Sequence, residues 1–324
     1  MKPHIVIISP YLAKANNGNW LTASRWARFL RQHYRVTIAL EWDGSPCNAM
    51  IALHARRSAA SIAAFALALP ASPLIVVLTG TDLYRDIHAD GDAQRSLQLA
   101  TQLVILQSEG LNELDAALRN KTQVIYQSSP SLKPVSLEQK CKSRYFDVTM
   151  IGHLRNEKDP VTFMRAAPHI KSPQVHLVHI GDALDPLLGA QAEATQSGHP
   201  NYRWLGRLPH TATRQRLKRS HLMVIASIME GGAHVIIEAI TSGVPVLASD
   251  ISGNRGMLGA DYAGYFPLGN SIELARLTDR AASDDTFYTL LQRQCAARAP
   301  LFAPERESAT LLNLVDNCTG LNPA

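Results

Sequence analysis

The chain has 324 residues, of which 46% are hydrophobic and 18% charged, a composition that excludes a disordered protein. This length is too great for one ordinary core and predicts two domains of about 150 residues each. The formal net charge of +5 fits an anionic small substrate and also weak nucleic-acid binding, so it does not distinguish these two functions. The 4 cysteines form no Cys-x-x-Cys pair, which argues against a zinc site and favours reduced thiols in the cytoplasm.

Two apolar segments resemble targeting or membrane signals at first inspection of their composition. The first is a predicted buried strand at Ile5–Ile8, which leaves no room for a signal peptide. The second runs from Ala59 to Leu78 and is interrupted by Pro70 and Pro73. It predicts a short helix and then a strand at Leu74–Leu78, and neither piece reaches the roughly 20 residues that a membrane span needs.

Short all-apolar runs alternate with helical patterns along the whole chain. Runs that are apolar on both faces are typical of parallel sheets covered by helices, so the alternation predicts a doubly wound α/β fold. The predicted strands are Ile5–Ile8, Val36–Leu40, Ile75–Leu78, Leu103–Leu106 and Val124–Tyr126, followed by Val148–Ile151, Val175–Ile180, Leu222–Ala226 and Val244–Ala248.

A segment rich in proline and serine, residues 128–144, separates two such halves and predicts a linker. We place the domain boundary near residue 140. Residues 1–140 and 141–304 are then each predicted to be a Rossmann-like domain. The remaining segment, residues 305–324, contains a predicted helix from Glu305 to Asp316, which is a candidate to pack back across the hinge.

The most specific signal lies between Glu230 and Glu238, where Gly231 and Gly232 follow a predicted strand and open a predicted helix. Two glycines there let a ligand approach the backbone, and free N–H groups at a helix start favour an anion or sugar oxygens. Glu238 lies among apolar neighbours, so a buried carboxylate at this position would need donors such as ribose hydroxyls. Taken alone, Glu238 is more simply a solvent-facing helix residue.

The whole string, completed by Ser242-Gly243-Val244-Pro245-Val246, resembles the donor site of GT-B glycosyltransferases of family 4. The resemblance implies two Rossmann-like domains that face each other across a cleft, with the nucleotide-sugar donor on the C-terminal one. It also implies that Glu230 faces the donor sugar and that Glu238 binds the ribose. Backbone amides would hold sugar or phosphate oxygens near Gly231, Gly232 and Ala233.

A second motif in the same half agrees with that family. Gly152, His153 and Arg155 precede Lys158, where the family has Gly-Arg-Leu followed by a lysine, so His153 departs from the pattern. The resemblance implies that Lys158 and Arg155 clamp the donor diphosphate and stabilise the departing nucleotide in place of a metal. Alone, each cation would be an ordinary surface residue. Weaker matches to a loop that borders the base are Gly206 and Arg207, for which a plain turn is the alternative.

Two loops of the first half are predicted on the acceptor side. Gly18 and Asn19 open a predicted helix that contains Arg25, and a glycine loop before a helix is a potential anion site. Thr81 and Asp82 follow a predicted strand, at the end where ligands of open α/β sheets collect. The alternatives are a simple strand-to-helix turn for the first loop and a helix-capping role for Asp82.

Longer stretches resemble, nearly end to end, the selenosugar synthases of selenoneine biosynthesis, and His153 is in keeping with that subgroup. The resemblance implies an enzyme that joins selenium from selenophosphate to the sugar of a UDP-sugar, typically UDP-N-acetylglucosamine, with no cofactor or metal. Lys14, Arg25 and Arg85 would suit such a trianionic acceptor. The stretches that carry the likeness are residues 19–28, 78–85, 152–160 and 261–269.

Other functions stay open at this point. An ordinary GT-B glycosyltransferase with a hydroxyl acceptor and a nucleotide-sugar epimerase both fit the donor motifs. A nucleic-acid-binding protein would need clustered basic and aromatic residues, and the one dense basic run, residues 214–219, is predicted to be a solvated helix face. Asp90-Gly91-Asp92 imitates an Asp-x-Asp metal site but is predicted to be a solvated turn. Sugar identity, stereochemistry and oligomeric state are not predicted.

Overall fold

A computed structural model of the chain describes residues 2–12, 18–136, 139–140 and 143–320. The chain forms two compact units. The first takes in the chain up to Ser128 together with the residues from Pro304 onward, and the second is Ser129–Ala303. The division therefore lies N-terminal to the predicted boundary near residue 140, and the last helix is part of the first unit.

The first unit is built on a parallel sheet. Within the described residues it has six strands in the order β2-β1-β3-β4-β5-β6. The central strands at Ala49–Leu53 and Leu74–Leu78 are all-apolar and fully buried. The strand at Leu74–Leu78 was predicted from the sequence, whereas the one at Ala49–Leu53 was not. The strands are β1 His4–Ile8, β2 Arg35–Ala39, β3 Ala49–Leu53, β4 Leu74–Leu78, β5 Gln102–Ile105 and β6 Thr122–Val124.

Helices cover both faces of this sheet because alternate side chains of each strand point to opposite faces. On β4, Ile75 and Val77 join the core that contains Trp26 of the first helix, and Val76 joins the core that contains Phe65 of the second. The helical segments are α1 Gly18–Leu30, α2 Ala59–Ala68, a π-helical turn Asp82–Asp86 leading into Ile87–Ala89, α3 Gly91–Leu99, a 3₁₀ segment Ser108–Glu113 and α4 Ala116–Asn120.

The second unit repeats the architecture. Its described residues form six parallel strands in the order β12-β11-β10-β7-β8-β9. The short edge strands β9 and β12 were not predicted, whereas β8 has the predicted bounds. The strands are β7 Phe146–Ile151, β8 Val175–Ile180, β9 Tyr202–Trp204, β10 Leu222–Ile225, β11 Val246–Ser249 and β12 Tyr265–Phe266.

Helices again connect these strands, with shorter segments at their ends. The 3₁₀ segments are Asn156–Lys158, Ala167–His169 and Ala299–Phe302. The α-helices are α5 Pro160–Ala166, α6 Pro186–Gly198, α7 His210–Arg219, α8 His234–Ile240, α9 Ser252–Leu258, α10 Ser271–Ser283 and α11 Asp285–Arg298.

The last helix, α12 Pro304–Thr319, confirms the helix predicted at Glu305–Asp316 and completes the core of the first unit. Its Glu307 is 1% exposed. The carboxylate accepts hydrogen bonds from the Nε1 of Trp26 at 2.7 Å and from the backbone N–H of Ser128 at 2.7 Å. A buried carboxylate needs such donors, so this network holds α12 against α1.

The Asp90-Gly91-Asp92 run begins a helix and is not merely a solvated turn. Asp90 caps α3 by accepting from the backbone N–H of Ala93 at 2.9 Å. No helix in the described part of the chain combines the length and apolar character needed to cross a membrane.

Candidate functional site

Three glycine loops of the second unit lie in direct contact where β7, β8 and β9 end. The backbone N–H of Gly181 donates to the carbonyl of Gly206 at 2.9 Å, and that of Gly152 donates to Ile180 at 2.9 Å. A Cβ atom added to Gly181 would lie 1.9 Å from the carbonyl oxygen of Gly152. A side chain at Gly181 would therefore push the Gly152 loop away from this sheet edge, where ligands of parallel sheets bind.

Lys158 and Glu230, both predicted catalytic residues, are bonded to each other. The Nζ of Lys158 lies 2.5 Å from Oε1 of Glu230, and Ser227 Oγ donates to the same oxygen at 2.6 Å. The backbone N–H of Ile228 donates to the carbonyl of Glu157 at 2.9 Å, which joins the two loops. The side chains of Lys158 and Glu230 are only 19% and 11% exposed, so their charges are less screened than those of a surface pair.

A strained residue holds Lys158 in place. Asp159 has a φ of 43°, in the left-handed region that residues with side chains rarely occupy. Its carboxylate caps α5 by accepting from the backbone N–H of Thr162 at 3.3 Å, and Pro160 begins that helix. The cap and the proline together offset the strain and fix the turn that presents Lys158.

Glu230 is supported from behind by Gly253 at the start of α9. A Cβ atom at Gly253 would lie 2.1 Å from the carbonyl oxygen of Glu230. Only a glycine permits this approach, so Gly253 determines where the loop after β10 can lie. Sequence reasoning missed Gly253, because a glycine inside a helix carries no local signal of what it contacts.

His153 is held in one tautomer beside several cations. Its Nδ1 accepts a hydrogen bond from the backbone N–H of Asp182 at 3.0 Å, so the neutral ring carries its proton on Nε2. Burial lowers the pKa of His153; Asp182 opposes this, and the neighbouring charges of Arg155, Arg207 and Lys158 lower it further. His153, Arg155 and Arg207 are exposed, and the two arginines form a positive rim beside the neutral imidazole and the Gly152 loop.

Glu238 is buried, which excludes the solvent-facing alternative. Its side chain is 5% exposed, with Oε1 lying 2.6 Å from His210 Nε2 and 3.7 Å from His234 Nε2. Burial alone would raise the pKa of Glu238, but the His210 hydrogen bond and the charges of His234, His210 and Arg214 outweigh it, so the pKa is lowered. The carboxylate is therefore kept ionised in a mostly apolar setting.

The prediction that residues 214–219 are a solvated helix face is wrong for Arg214, whereas Arg216 and Arg219 are exposed. Arg214 is 7% exposed, and its guanidinium donates to the carbonyl of Pro130 at 3.2 Å, to Ser242 Oγ at 3.1 Å and to Ser129 Oγ. Position 214 of α7 faces the interior because it is one turn from buried Leu217. Arg214 thus supplies a buried positive charge to the surroundings of Glu238.

The glycines at 231 and 232 precede the helix and do not begin it. Gly231 and Ala233 are buried, Gly232 is half-buried, and α8 starts only at His234. The helix is seven residues long. The residues before it form a loop whose Ala233 carbonyl accepts from the N–H of Ile236 at 2.9 Å.

The second half of the chain matches a known protein family. Residues 138–300 match the model of the family "Glycosyl transferases group 1", and this range is just over half of the chain. The chain belongs to the group 1 glycosyl transferase family.

Two curated proteins resemble this family member. Over 111 residues it is 34% identical to "Glycosyltransferase 1 domain-containing protein 1" of Xenopus tropicalis, a match that covers 34% of this chain and 32% of that protein. Over 188 residues it is 26% identical to the Escherichia coli "UDP-Gal:alpha-D-GlcNAc-diphosphoundecaprenol alpha-1,3-galactosyltransferase", which covers 52% of this chain and 45% of that protein. The matches therefore span less than half of either relative.

A solved structure matches over nearly the whole length of this group 1 member. Anabaena Alr3699/HepE, crystallised in complex with UDP and glucose, superposes with a TM-score of 0.76 at 17% identity, covering 97% of this chain and 100% of that one. At this identity the likeness concerns the fold. The predicted fold of two Rossmann-like α/β domains, of the GT-B type, is confirmed.

On the predicted acceptor side of this glycosyl transferase family member, Arg25 has a structural partner. Its Nε and Nη2 donate to the two carboxylate oxygens of Glu307 at 2.8 and 3.0 Å, so the guanidinium edge expected to face an anion is bound to α12. Gly18 and Asn19 are the first residues of α1, and the Gly18 carbonyl accepts from the hydroxyl of Thr22 at 2.8 Å. Lys14, expected through the resemblance to suit the acceptor, lies outside the described residues.

Thr81 and Asp82 lie at the end of β4, as predicted, but Asp82 is fully buried. Its carboxylate accepts from the backbone N–H groups of Ala55 at 3.0 Å, Thr79 at 2.8 Å and Gly80 at 2.9 Å. Asp82 therefore joins the loops after β3 and β4 and does not face a ligand. Thr81 is half-buried, and its Oγ1 lies 3.1 Å from His54 Nε2.

Several residues of the site had no usable signal in the sequence. His234 is the exception, because its four-residue offset from Glu238 on one helix could have suggested a contact. His210 and Arg214 reach Glu238 from α7 through the tertiary fold alone. As for metal ions, no group of three or more His, Cys, Asp or Glu side chains in the described part of the chain is placed to hold one.

Proposed function

We propose that the chain is a metal-independent glycosyltransferase that binds a UDP-sugar at the carboxyl edge of the second sheet. The observation that carries the proposal is the Lys158–Glu230 pair, 2.5 Å apart, beside a rim of further positive groups. Glycosyl transfer leaves a new negative charge on the departing pyrophosphate. Positive groups held in advance of the reaction stabilise that charge without reorganising.

In this proposal Lys158 and Arg155 bind the donor diphosphate, and Arg207 borders the nucleotide. The ammonium of Lys158 has three donors, so a bond to Glu230 leaves others for phosphate oxygens. One well-placed donor of this kind stabilises a transition state by about 3 kcal/mol. His153 adds a neutral Nε2–H donor, since its Nδ1 is engaged by Asp182.

Glu238 is the proposed ribose ligand. Both of the imidazole contacts described above go to its Oε1, so Oε2 is the oxygen left for a ribose diol. An ionised carboxylate forms stronger hydrogen bonds to hydroxyl groups than a neutral acid does. The lowered pKa of Glu238 therefore suits this role.

We infer further that the acceptor is selenophosphate and the donor UDP-N-acetylglucosamine, giving a selenosugar. The support is the likeness of residues 19–28, 78–85, 152–160 and 261–269 to selenosugar synthases, which includes His153 at the usual arginine position. A selenium lone pair attacks the anomeric carbon while the carbon–oxygen bond to UDP breaks, and UDP keeps that electron pair. Water then cleaves the selenium–phosphorus bond and releases phosphate.

A selenium nucleophile carries its own negative charge and needs no proton removed. We therefore expect no indispensable general base, and alanine variants of Glu230 or His153 should not erase a base-like limb of the pH–rate profile. Erasure of that limb in one variant that still binds UDP would contradict the selenophosphate mechanism.

A hydroxyl acceptor is the second candidate. It is favoured by the E. coli relative, whose name describes a galactosyltransferase, since the match to that protein covers 52% of this chain. Turnover of UDP-N-acetylglucosamine with alcohol acceptors but not with selenophosphate would select this candidate. Turnover with no acceptor at all would indicate an epimerase.

Calorimetry with UDP, followed by turnover with and without EDTA, tests the donor half of the proposal. We expect UDP to bind and EDTA to leave turnover unchanged. Lys158→Ala should lower turnover at least about 100-fold, whereas Lys171→Ala, an exposed lysine of the same unit, should not. Absence of UDP binding, or loss of turnover with EDTA, would refute the proposal.

A further inference from the structure

The loops after β3 and β4 carry a second charged cluster, within the first unit. β3 and β4 are parallel neighbours, so both loops emerge at the same sheet edge, where ligands of such sheets bind. The cluster contains His54, Arg56, Thr81, Arg85 and Asp86. None of these except Thr81 belongs to the predicted site, and Arg85 entered only through the resemblance.

Asp86 orients two arginines. It is 5% exposed, its Oδ2 accepts from the Nε of Arg56 at 2.9 Å, and its Oδ1 accepts from the Nε of Arg85 at 3.0 Å. Burial alone would raise the pKa of Asp86, but its bonds with Arg85 and Arg56 lower it. The hydrogen bonds to Asp86 use the Nε atoms of Arg56 and Arg85. The two arginine side chains are 41% and 51% exposed, so their terminal amino groups are accessible to a ligand.

The backbone around these arginines is unusual on both sides. His54 has a φ of 75°, although it is not a glycine, and Asp82–Asp86 is a π-helical turn. Both features are costly and recur at functional sites. His54 Nδ1 accepts from the N–H of Arg57 at 3.4 Å, which places its proton on Nε2, 3.1 Å from Thr81 Oγ1. Thr81 Oγ1 accepts the hydrogen bond from that N–H, so its own O–H can donate to a ligand.

The electrostatic balance of the cluster favours an anion. Arg57, next in the chain, lies with its guanidinium 5.1 Å from the ring centre of Tyr11, which follows β1 at the same sheet edge. On these two loops the arginines at 56, 57 and 85 outnumber the carboxylates of Asp82 and Asp86. Asp82 is satisfied by backbone N–H groups and Asp86 by arginine, so neither presents a free oxygen that would repel an anion.

We propose that Arg56, Arg85 and Thr81 form a binding site for a small tetrahedral oxyanion of the phosphate type. Paired guanidinium amino groups match the spacing of phosphate oxygens, and a hydroxyl donor from a third direction fits a tetrahedral anion. The site would hold the acceptor of the proposed reaction, and in that one respect it rests on the proposed function. It takes the place of Arg25 as the predicted acceptor ligand, because the guanidinium of Arg25 is bound to Glu307 of α12.

Titration with inorganic phosphate, followed by the backbone amide shifts of the isotope-labelled chain, tests the site. Added chloride keeps the ionic strength constant, so that a change in charge screening does not itself shift the amide signals. We expect the largest shifts at residues 54–57 and 81–86. Arg56→Ala and Arg85→Ala should each weaken phosphate binding about tenfold, because a hydrogen bond to a charged group is lost. Arg95→Ala, an exposed arginine of α3, should change it less than twofold.

Two further arms keep the test decisive. If an alanine variant unfolds, Arg56→Lys and Arg85→Lys retain the charge, and we expect each to weaken phosphate binding at least threefold. Unchanged phosphate affinity in the arginine variants, or shifts confined to other residues, would overturn the site. UDP affinity is measured on the same samples and should not differ between wild type and variants. Failure of the wild type to bind UDP would refute the proposed function and leave the phosphate site standing.

Discussion

The carboxylate of Glu307 should contribute an unusually large share of the stability of the first unit. It is 1% exposed and accepts from Arg25, Trp26 and Ser128. Glu307→Ala leaves the Arg25 guanidinium, 10% exposed, without its partner and orphans the buried donors of Trp26 and Ser128. Breaking a buried ion pair costs about 3–5 kcal/mol, and the partial exposure of Arg25 sets our expectation at about 3 kcal/mol.

Urea unfolding followed by circular dichroism measures this loss, and tryptophan fluorescence reports mainly on the first unit, which contains three of the four tryptophans. Glu305→Ala is the matched control, since Glu305 is an exposed glutamate of the same helix. We expect the control to stay within about 0.5 kcal/mol of wild type. A Glu307→Ala variant as stable as the control would refute the anchoring role. It would also reopen Arg25 as an acceptor ligand.

Three further predictions concern the second unit. Lys158→Arg should recover part of the turnover lost in Lys158→Ala, measured as kcat with UDP-sugar, because charge is kept while shape is not; equal activity of the two variants would contradict this. His210→Ala should raise KM for the UDP-sugar about tenfold with little change in kcat. The pKa of His210 is raised, mainly by its hydrogen bond to Glu238. The stability that His210 adds is therefore fully present below about pH 6.5 and is lost as the pH rises through the folded-state pKa. Unfolding of wild type and His210→Ala across pH measures this, and a difference in the free energy of unfolding that stays constant with pH would disprove it. Gly253→Ala should lower turnover because the new Cβ would lie 2.1 Å from the Glu230 carbonyl, whereas Gly198→Ala meets nothing within 4 Å and should be silent in the same assay.

The fold could be predicted because central strands such as β4 are buried on both faces and so are apolar without interruption. β8 has the bounds predicted for Val175–Ile180, although it contains His176 and His179. The strand Ala49–Leu53 was missed because two of its five residues are alanines, which carry little strand preference. The edge strands β9 and β12 are only three and two residues long, too short to form a pattern.

The motif residues of the proposed donor site could be recognised in the sequence, but the residues that contact them could not. Lys158 and Glu230 were each predicted from local motifs, whereas their mutual bond is a tertiary contact. Arg25 was predicted to face an acceptor because nothing near it in the chain indicates a carboxylate 282 positions later. Arg214 was mistaken for a surface residue because helical basic runs are mostly exposed, and only its burial distinguishes it from its neighbours.

The position of α12 has a consequence for how the chain folds during synthesis. Ribosomes release the N-terminal sheet first, and domains commonly fold in that order. Here Trp26 and the backbone of Ser128 receive their carboxylate partner only after residues 129–303 have been made. The first unit therefore cannot complete its core until the second unit has been synthesised, and a product that terminates at residue 303 would leave the first unit unfinished.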